Sequence, residues 1–418
     1  MENVEVEVPP FFICPISLEI MKDPVTISTG ITYDRDSIET WLFSSDHKTK
    51  TCPVTKLPVS TDPDDLMITP NLTLRRLIQS WCNLNASRGV IPIPSPKPPV
   101  SKPYVEKLLS DARSPALQAK CLKRLRSIAS SQNGSTKRCV ESAGAVEFLA
   151  SLVNSECSTS SSEDMGDDFN ARALTNDALC ILYNLRLTES GLRQLVRGGQ
   201  FVDSLTQVML RGSYDSRAYA VLLLKSMFEV AEPMEMITLR TDLFHEVVQV
   251  LHDGISPQAT KAALKLLIHV CPWGRSRIKA VEAGAVSVLV EKLLESSEKR
   301  ICELVFMLLE MVCQSAEGRA ELLRHGAGIA IVSKKILRVS QIASERSVRI
   351  LHSLARFSAT PAIVQEMLEI GVAAKLCLVL QVESGRKTKE KAIEILRLHR
   401  RAWRNSPCIP ASLASSYP

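Results

Sequence analysis

The first 83 residues hold four side chains that could ligate a metal or react through a thiol or an imidazole: Cys14, His47, Cys52 and Cys82. A pair of structural zinc sites takes eight Cys or His ligands in closely paired spacing, and these four show no such pairing. Neither zinc nor any other cofactor is expected. For Cys14 or Cys52 to form a thioester, a neighbouring base or a lowered thiol pKa is required. Only His47 lies near in sequence, so both cysteines are read as structural. Further along, Gly326-Ala327-Gly328 has the outline of a dinucleotide turn, yet Ile331 stands where a third glycine belongs and no strand precedes it. It is read as a helix junction.

With covalent chemistry set aside, the chain must act by binding, and its elements must build the surface. Residues 11 to 83 read as a compact α+β module near the minimum length for an independent core. Pro24 to Tyr33 places β-branched residues on both sides of a Ser28-Thr29-Gly30 turn, which predicts a hairpin with Gly30 at positive φ. Asp34 is the expected N-cap of a helix whose Ile38, Trp41 and Leu42 share one face. A second helix, starting near Asn71 after Pro70, repeats the pattern with Leu74, Leu77, Ile78 and Trp81.

The segments Phe12-Ile13-Cys14-Pro15-Ile16-Ser17-Leu18-Glu19-Ile20-Met21, Asp23-Pro24-Val25, Gly30-Ile31-Thr32-Tyr33-Asp34-Arg35, Trp41, Cys52-Pro53-Val54-Thr55 and Pro70-Asn71-Leu72 follow in the order of a U-box, and the module resembles that family throughout. The resemblance implies a zinc-free, RING-like fold. Its core would be supported by a polar network among Asp23, Ser28, Asp34, Arg35, Glu39 and Asn71. It also implies that a ubiquitin-charged conjugating enzyme docks on a groove mapping to Cys14, Pro15, Ile16, Leu18, Trp41, Cys52 and Pro53. Lys56 stands where many members carry a basic residue, often Arg, that touches both the conjugating enzyme and its ubiquitin. Lys lacks the planar fork of Arg. No covalent step on this chain is implied, because rate comes from bringing a target lysine to the thioester.

Between Ile91 and Pro103 the proline density excludes helix and central strand, marking a linker. Beyond it, helical patterns recur around Gly144, Gly199, Asp242, Gly284, Gly326 and Gly371, at steps of 55, 43, 42, 42 and 45 residues. The long step contains a Ser/Asp/Glu tract, Ser155 to Asp168, read as a solvated insertion. Without it the period falls within the roughly 40 to 47 residues of armadillo and HEAT repeats. At the five glycine markers the glycine is expected to end one helix in a conformation closed to residues with a Cβ.

The fold class expected is therefore mainly α. It comprises a U-box over 8 to 84, a Pro-rich linker over 85 to 103, a right-handed armadillo-type α-solenoid of about six repeats over 104 to 404, and a flexible tail over 405 to 418. The combination resembles the plant U-box ligases, RING-type E3 ubiquitin ligases many of whose members act in defence and stress signalling. That implies a protein substrate on the repeats and target degradation, and leaves self-association open.

Composition sets further bounds. A net charge of +6, much of it in one carboxyl-terminal run, does not support a nucleic-acid partner. The run Arg386 to Lys391, with Arg397, Arg400, Arg401 and Arg404, is read as a polar cap on the solenoid, an acidic partner or a nuclear signal being the alternatives. Only Trp273 and Trp403 lie in the repeats, so no tryptophan row for basic import cargo is present. The acidic start lacks the features of a secretory signal, and no apolar window reaches membrane-spanning length. Twelve cysteines without a Cys-x-x-Cys pair point to reduced thiols, hence to the cytoplasm with the nucleus as a second compartment.

Overall fold

The residues flanking Ser28-Thr29-Gly30 close into a hairpin in the computed structural model, which describes residues 7–43, 51–59, 68–86, 90, 100–131, 134–158 and 165–403. Strand β1 (Pro24–Thr26) pairs antiparallel with β2 (Thr32–Asp34), Val25 opposite Tyr33, and Gly30 takes φ 80° at the turn. A third strand, β3 (Thr69–Pro70), pairs on the other side of β1 and gives the order β2-β1-β3. Sequence reasoning missed β3. Its proline sits on the sheet edge, where a missing amide costs no ladder bond.

Helix α1 (Arg35–Phe43) follows β2 directly, and α2 (Leu72–Leu84) follows β3. Their Ile38, Leu42 and Ile78 are essentially unexposed and close over Val25, Tyr33 and Met21. Two expectations fail here. Asp34 does not cap α1, because its Oδ1 accepts from the amides of Lys22 and Asp23 at 2.7 and 2.9 Å. Leu77 is exposed and so is not part of the apolar face of α2, whereas Asn71 does cap that helix by accepting from the Leu74 amide at 3.1 Å.

The helices that follow repeat one plan. A first pair, α3 (Lys102–Asp111) and α4 (Pro115–Ala129), is followed by three-helix units in which a short helix, a middle helix and a long helix recur. These are α5 (Gly134–Ser142), α6 (Ala145–Ser158) and α7 (Met165–Leu185), then α8 (Glu189–Val196), α9 (Gln200–Arg211) and α10 (Tyr214–Phe228). Next come α11 (Pro233–Ile237), α12 (Thr241–Asp253) and α13 (Pro257–Val270), then α14 (Ser276–Glu282), α15 (Ala285–Glu295) and α16 (Lys299–Val312). The last are α17 (Ala316–Arg324), α18 (Gly328–Lys335) and α19 (Gln341–Phe357), then α20 (Pro361–Glu369), α21 (Val372–Gln381) and α22 (Arg386–Leu398), closed by α23 (Arg400–Trp403).

From α10 onward the long helices pack side by side in one layer, and α9, α12, α15 and α18 form a second layer beside them. Leu266, Phe306, Leu309, Leu351 and Leu354, buried between the layers, are the interior of this armadillo-type solenoid. Lysines fasten neighbouring units, with Lys335 Nζ donating to the carbonyl of Ser296 that caps α15, at 2.8 Å.

By compactness, the sheet module and α3–α5 form one unit with residues 184–186, and the rest of the helices form another. The linker therefore does not separate two compact bodies, since α1 packs against α5. The acidic insertion is shorter than read, because α6 runs on to Ser158 and α7 begins at Met165, leaving 159–164 outside the described residues. His47, most of the linker and the tail also lie outside them.

The junction glycines divide into two kinds. Gly284 takes φ 82°, and an added Cβ there would meet nothing within 4 Å, so its constraint is backbone conformation alone. Gly326 is not left-handed. There the chain turns differently, with His325 Nδ1 accepting from the Ala327 amide at 3.2 Å. Gly318 is needed for a steric reason, since a Cβ would lie 2.0 Å from the Val312 carbonyl oxygen. Gly284→Ala should cost about 1 kcal/mol, and Gly318→Ala should cost several times more. Thermal unfolding of the two variants measures the order, and equal losses would contradict this account.

Candidate protein-docking site

Two loops of the amino-terminal module are built on the same plan. In the first, Cys14 N donates to Glu19 O at 2.8 Å, Leu18 N donates to Cys14 O at 2.9 Å, and Ile13 bridges Ile20. In the second, Cys52 N donates to Leu57 O at 2.8 Å, Lys56 N donates to Cys52 O at 2.9 Å, and Thr51 bridges Pro58. Each loop runs Cys-Pro, then Ile-Ser or Val-Thr, and then reaches a residue at positive φ, Leu18 at 59° and Lys56 at 60°. The repeated tetrapeptide was the signal in the sequence for this internal symmetry.

At the centre of each loop is a thiol with no exposed area. Cys52 Sγ receives Tyr33 Oη at 3.0 Å, Thr29 Oγ1 at 3.4 Å and the Thr55 amide at 3.4 Å. Burial alone would push this thiol up, but the donors from Thr29, Thr55 and Tyr33 outweigh it and bring Cys52 down to about 6. The Tyr33 phenol is pushed up, first by burial and then by the neighbouring thiol, so it stays protonated and donates. Cys14 Sγ likewise accepts the Asp34 amide at 3.3 Å and is lowered, burial being offset by backbone donors from Asp34, Ser17 and Ile16. These sulfurs organise amides that would otherwise be unpaired.

Burial corrects the expectation for both cysteines. Cys14 and Cys52 cannot touch a partner through their side chains, and neither can reach the carbonyl of an incoming thioester to attack it. The surface is made by the residues they hold out. Pro15 is exposed, Ile16 and Pro53 are half-buried, and Leu18 is 76% exposed. Trp41 is half-buried, with its indole Nε1 donating to Thr51 O at 2.9 Å, so α1 and the second loop are joined through this ring. Val54 and Leu57, half or more exposed beside Lys56, belong to the same surface and were missed. Their apolar character, in a loop that could have been polar, was the available signal.

Most of the expected polar network is present. Arg35 Nε donates to Asp23 Oδ2 at 2.7 Å, and Asp23 also lies 3.6 Å from Arg75, which sequence reasoning did not include. Asp34 and Asn71 hold backbone amides as described above. Ser28 is exposed, and among the described residues no hydrogen bond to its side chain joins this network, because the tight turn carries it outward.

Glu39 faces Arg35 at 3.6 Å and the backbone amide of Ser135 in α5, both its oxygens being inaccessible. Burial pushes its carboxyl up against the pull of Arg35. A carboxyl with a raised folded pKa gives stability at acid pH that is lost as the pH rises through the folded value. Glu39→Gln should therefore raise the unfolding temperature in neutral buffer, with the difference vanishing in acid. A loss of stability in neutral buffer would contradict this.

Leu18 combines a large exposed apolar side chain with a left-handed backbone, held there by its amide bond to Cys14 O. Leu18→Gly should stabilise the chain by about 1 kcal/mol while weakening whatever docks on this surface. Calorimetry beside a binding measurement reads both effects, and a variant that gains stability without losing binding would remove Leu18 from the site.

Among the described residues no cluster of three or more His, Cys, Asp or Glu side chains could hold a metal ion. Nor is any helix among them long and apolar enough to cross a membrane.

The comparisons agree with this architecture. The family model of the U-box domain matches residues 8–87, and that of the plant U-box protein ARM repeat region matches residues 104–418. The E3 ubiquitin-protein ligases PUB22 and PUB23 of Arabidopsis thaliana are 55% and 56% identical, over 99% of this chain and 99% and 98% of theirs. PUB24 of the same plant is 35% identical over 99% of this chain and 96% of its own. Among solved structures, one described by a phosphorylation switch controlling the interaction between cadherin and beta-catenin covers 82% of this chain and 60% of its own at TM-score 0.58 and 12% identity. An engineered protein covers 70% and 67% at TM-score 0.50 and 19% identity. Both likenesses concern the fold alone. With a family model on each part and full-length relatives above half identity, the chain belongs to the plant U-box E3 ubiquitin-protein ligases that carry an armadillo repeat region.

Proposed function

We propose that the surface formed by Pro15, Ile16, Leu18, Trp41, Pro53, Val54 and Leu57 docks a ubiquitin-charged conjugating enzyme, while the armadillo repeats hold the protein to be modified. The observation that carries this reading is the pair of matched loops, which fix two prolines and several apolar side chains at the surface on a buried hydrogen-bonded base. Such a rigid apolar patch with an aromatic at its edge has the composition of an interface hot spot. Catalysis then needs no nucleophile on this chain. The docked thioester and the held target meet at high effective concentration, and orientation supplies the rate.

Lys56 stands at the apex of the second loop, exposed, with its backbone amide tied to Cys52 O. We assign it the electrostatic contact to both conjugating enzyme and ubiquitin, made as a point charge rather than a planar fork. Lys56→Arg should increase ubiquitin discharge and Lys56→Ala should reduce it by about tenfold. Identical rates in all three forms would exclude this role.

Degradation of the modified target, a part in plant defence or stress signalling, and residence in the cytoplasm and nucleus complete the proposal; the ligase names of the relatives support a ubiquitin-dependent fate for the target, and the mostly buried free thiols support a reducing compartment.

The primary test is autoubiquitination of the purified full-length chain with activating enzyme, a panel of conjugating enzymes, ubiquitin and ATP, beside Ile16→Ala and Pro53→Ala and in the presence of a chelator. Chain formation should persist with the chelator and be lost in the variants. Inactivity of the wild type with every conjugating enzyme would replace this reading with a scaffold role.

A further inference from the structure

The charge of this chain is concentrated at one end of its repeats. Helices α19, α22 and α23 carry ten Lys and Arg against three Glu, a surplus larger than the +6 of the whole protein. The packing of a solenoid end does not require such an excess, and its arrangement is ordered.

Two glutamate-centred nodes lie across neighbouring long helices, the first carboxylate mostly covered and the second, Glu394, 41% exposed. At the first, Glu310 of α16 takes Arg346 Nη1 at 2.7 Å and Arg349 Nη1 at 3.2 Å, both from α19. At the second, Glu394 of α22 lies 2.8 Å from His352 Nε2 and 3.0 Å from Arg356 Nη1, both of α19. His352, ahead of the nearby Arg356 and Lys391, holds the Glu394 carboxyl below the usual glutamate range. In each node one carboxylate is shared by more than one cationic or hydrogen-bonding group, so guanidinium donors are left over. The first carboxylate is mostly covered and its cations lie nearer the surface, Glu310 being 15% exposed and Arg349 36%.

Each guanidinium here directs one N–H to its glutamate and keeps others for an outside acceptor. Because the glutamates hold the arginines in place, binding would not have to order long flexible side chains, the usual cost of recruiting surface arginines. At the edge of the row, Phe357 is 63% exposed between Arg319 and Arg356, their guanidinium carbons 5.2 and 5.4 Å from the ring centre. An exposed aromatic between two arginines has the composition of an interface core rather than of a solvated cap.

We propose that this row of two arginine–glutamate nodes on α16, α19 and α22 binds an acidic segment of the protein target in extended form. The proposal rests on the reading above that the repeats hold the target, and it gives that target a chemistry. Arg349 and Arg356 are seven residues apart on α19, which is about 10.5 Å along its axis, and an extended chain advances about 3.3 Å per residue. The two acceptors on the bound segment should therefore stand three residues apart.

The test uses the full-length protein and short fluorescein-labelled Gly/Ser peptides, read by fluorescence anisotropy. One peptide carries two glutamates three residues apart, a second carries them adjacent, and a third carries glutamines. The first should bind at least about tenfold more tightly than the other two, and Arg349→Gln with Arg356→Gln should abolish that preference. Both side chains are partly exposed, so the double variant should keep its unfolding temperature and its autoubiquitination, which establishes that it is folded. Equal binding of all three peptides, or undiminished preference in the double variant, would overturn the proposal. So would a single-stranded oligonucleotide of the same charge that binds as tightly as the first peptide. Because anisotropy reads no ubiquitin transfer, an inactive U-box would leave this result standing and would count only against the ligase reading.

Discussion

Two buried sulfur atoms are what the amino-terminal surface depends on. Cys14 and Cys52 each sit at the base of a loop, accept backbone and hydroxyl donors, and so fix the path of the chain through Leu18 and Lys56. A short loop cannot bury its own amides without such acceptors, and a module of this size has little apolar area with which to offset an unpaired one. Tyr33 joins this base to the sheet, since it donates to Cys52 while its oxygen accepts the Val54 amide at 3.3 Å. The fold thereby places strain and exposed apolar area at two loop apices and keeps them there.

The solenoid depends on a different constraint, the repeated junction. Where the chain must reverse between short and middle helices, left-handed glycines such as Gly284 allow it, and Gly318 allows a backbone approach that no side chain would permit. These junctions set the long helices parallel, so that side chains one unit apart in sequence meet across the layer. Arg349 reaching Glu310 and Arg356 reaching Glu394 are consequences of that spacing.

Much of this was legible in the sequence. The order of U-box segments, the hairpin around Gly30, the start of the second helix near Asn71 and the period of the repeats all rest on local chemistry that one stretch of chain reveals. What was not legible depends on how distant segments meet. Asp34 reads as a helix cap, but the amides of Lys22 and Asp23 come closer to its side chain. Cys14 and Cys52 read as part of a surface because their neighbours are, and only the closed core shows them sealed. Gly326 matches its fellow glycines in sequence, yet its junction is held by the imidazole of His325. The packing of α1 against α5 across a proline-rich stretch leaves no local signature at all, apart from a glutamate in a position that becomes buried.

Hydrogen bonds to thiols, rather than a metal, organise the two amino-terminal loops of this ligase. Metal content of the natively purified full-length chain, measured by inductively coupled plasma mass spectrometry, tests it most directly. The account predicts no stoichiometric zinc. One or two zinc ions per chain, lost together with the fold on chelation, would contradict it.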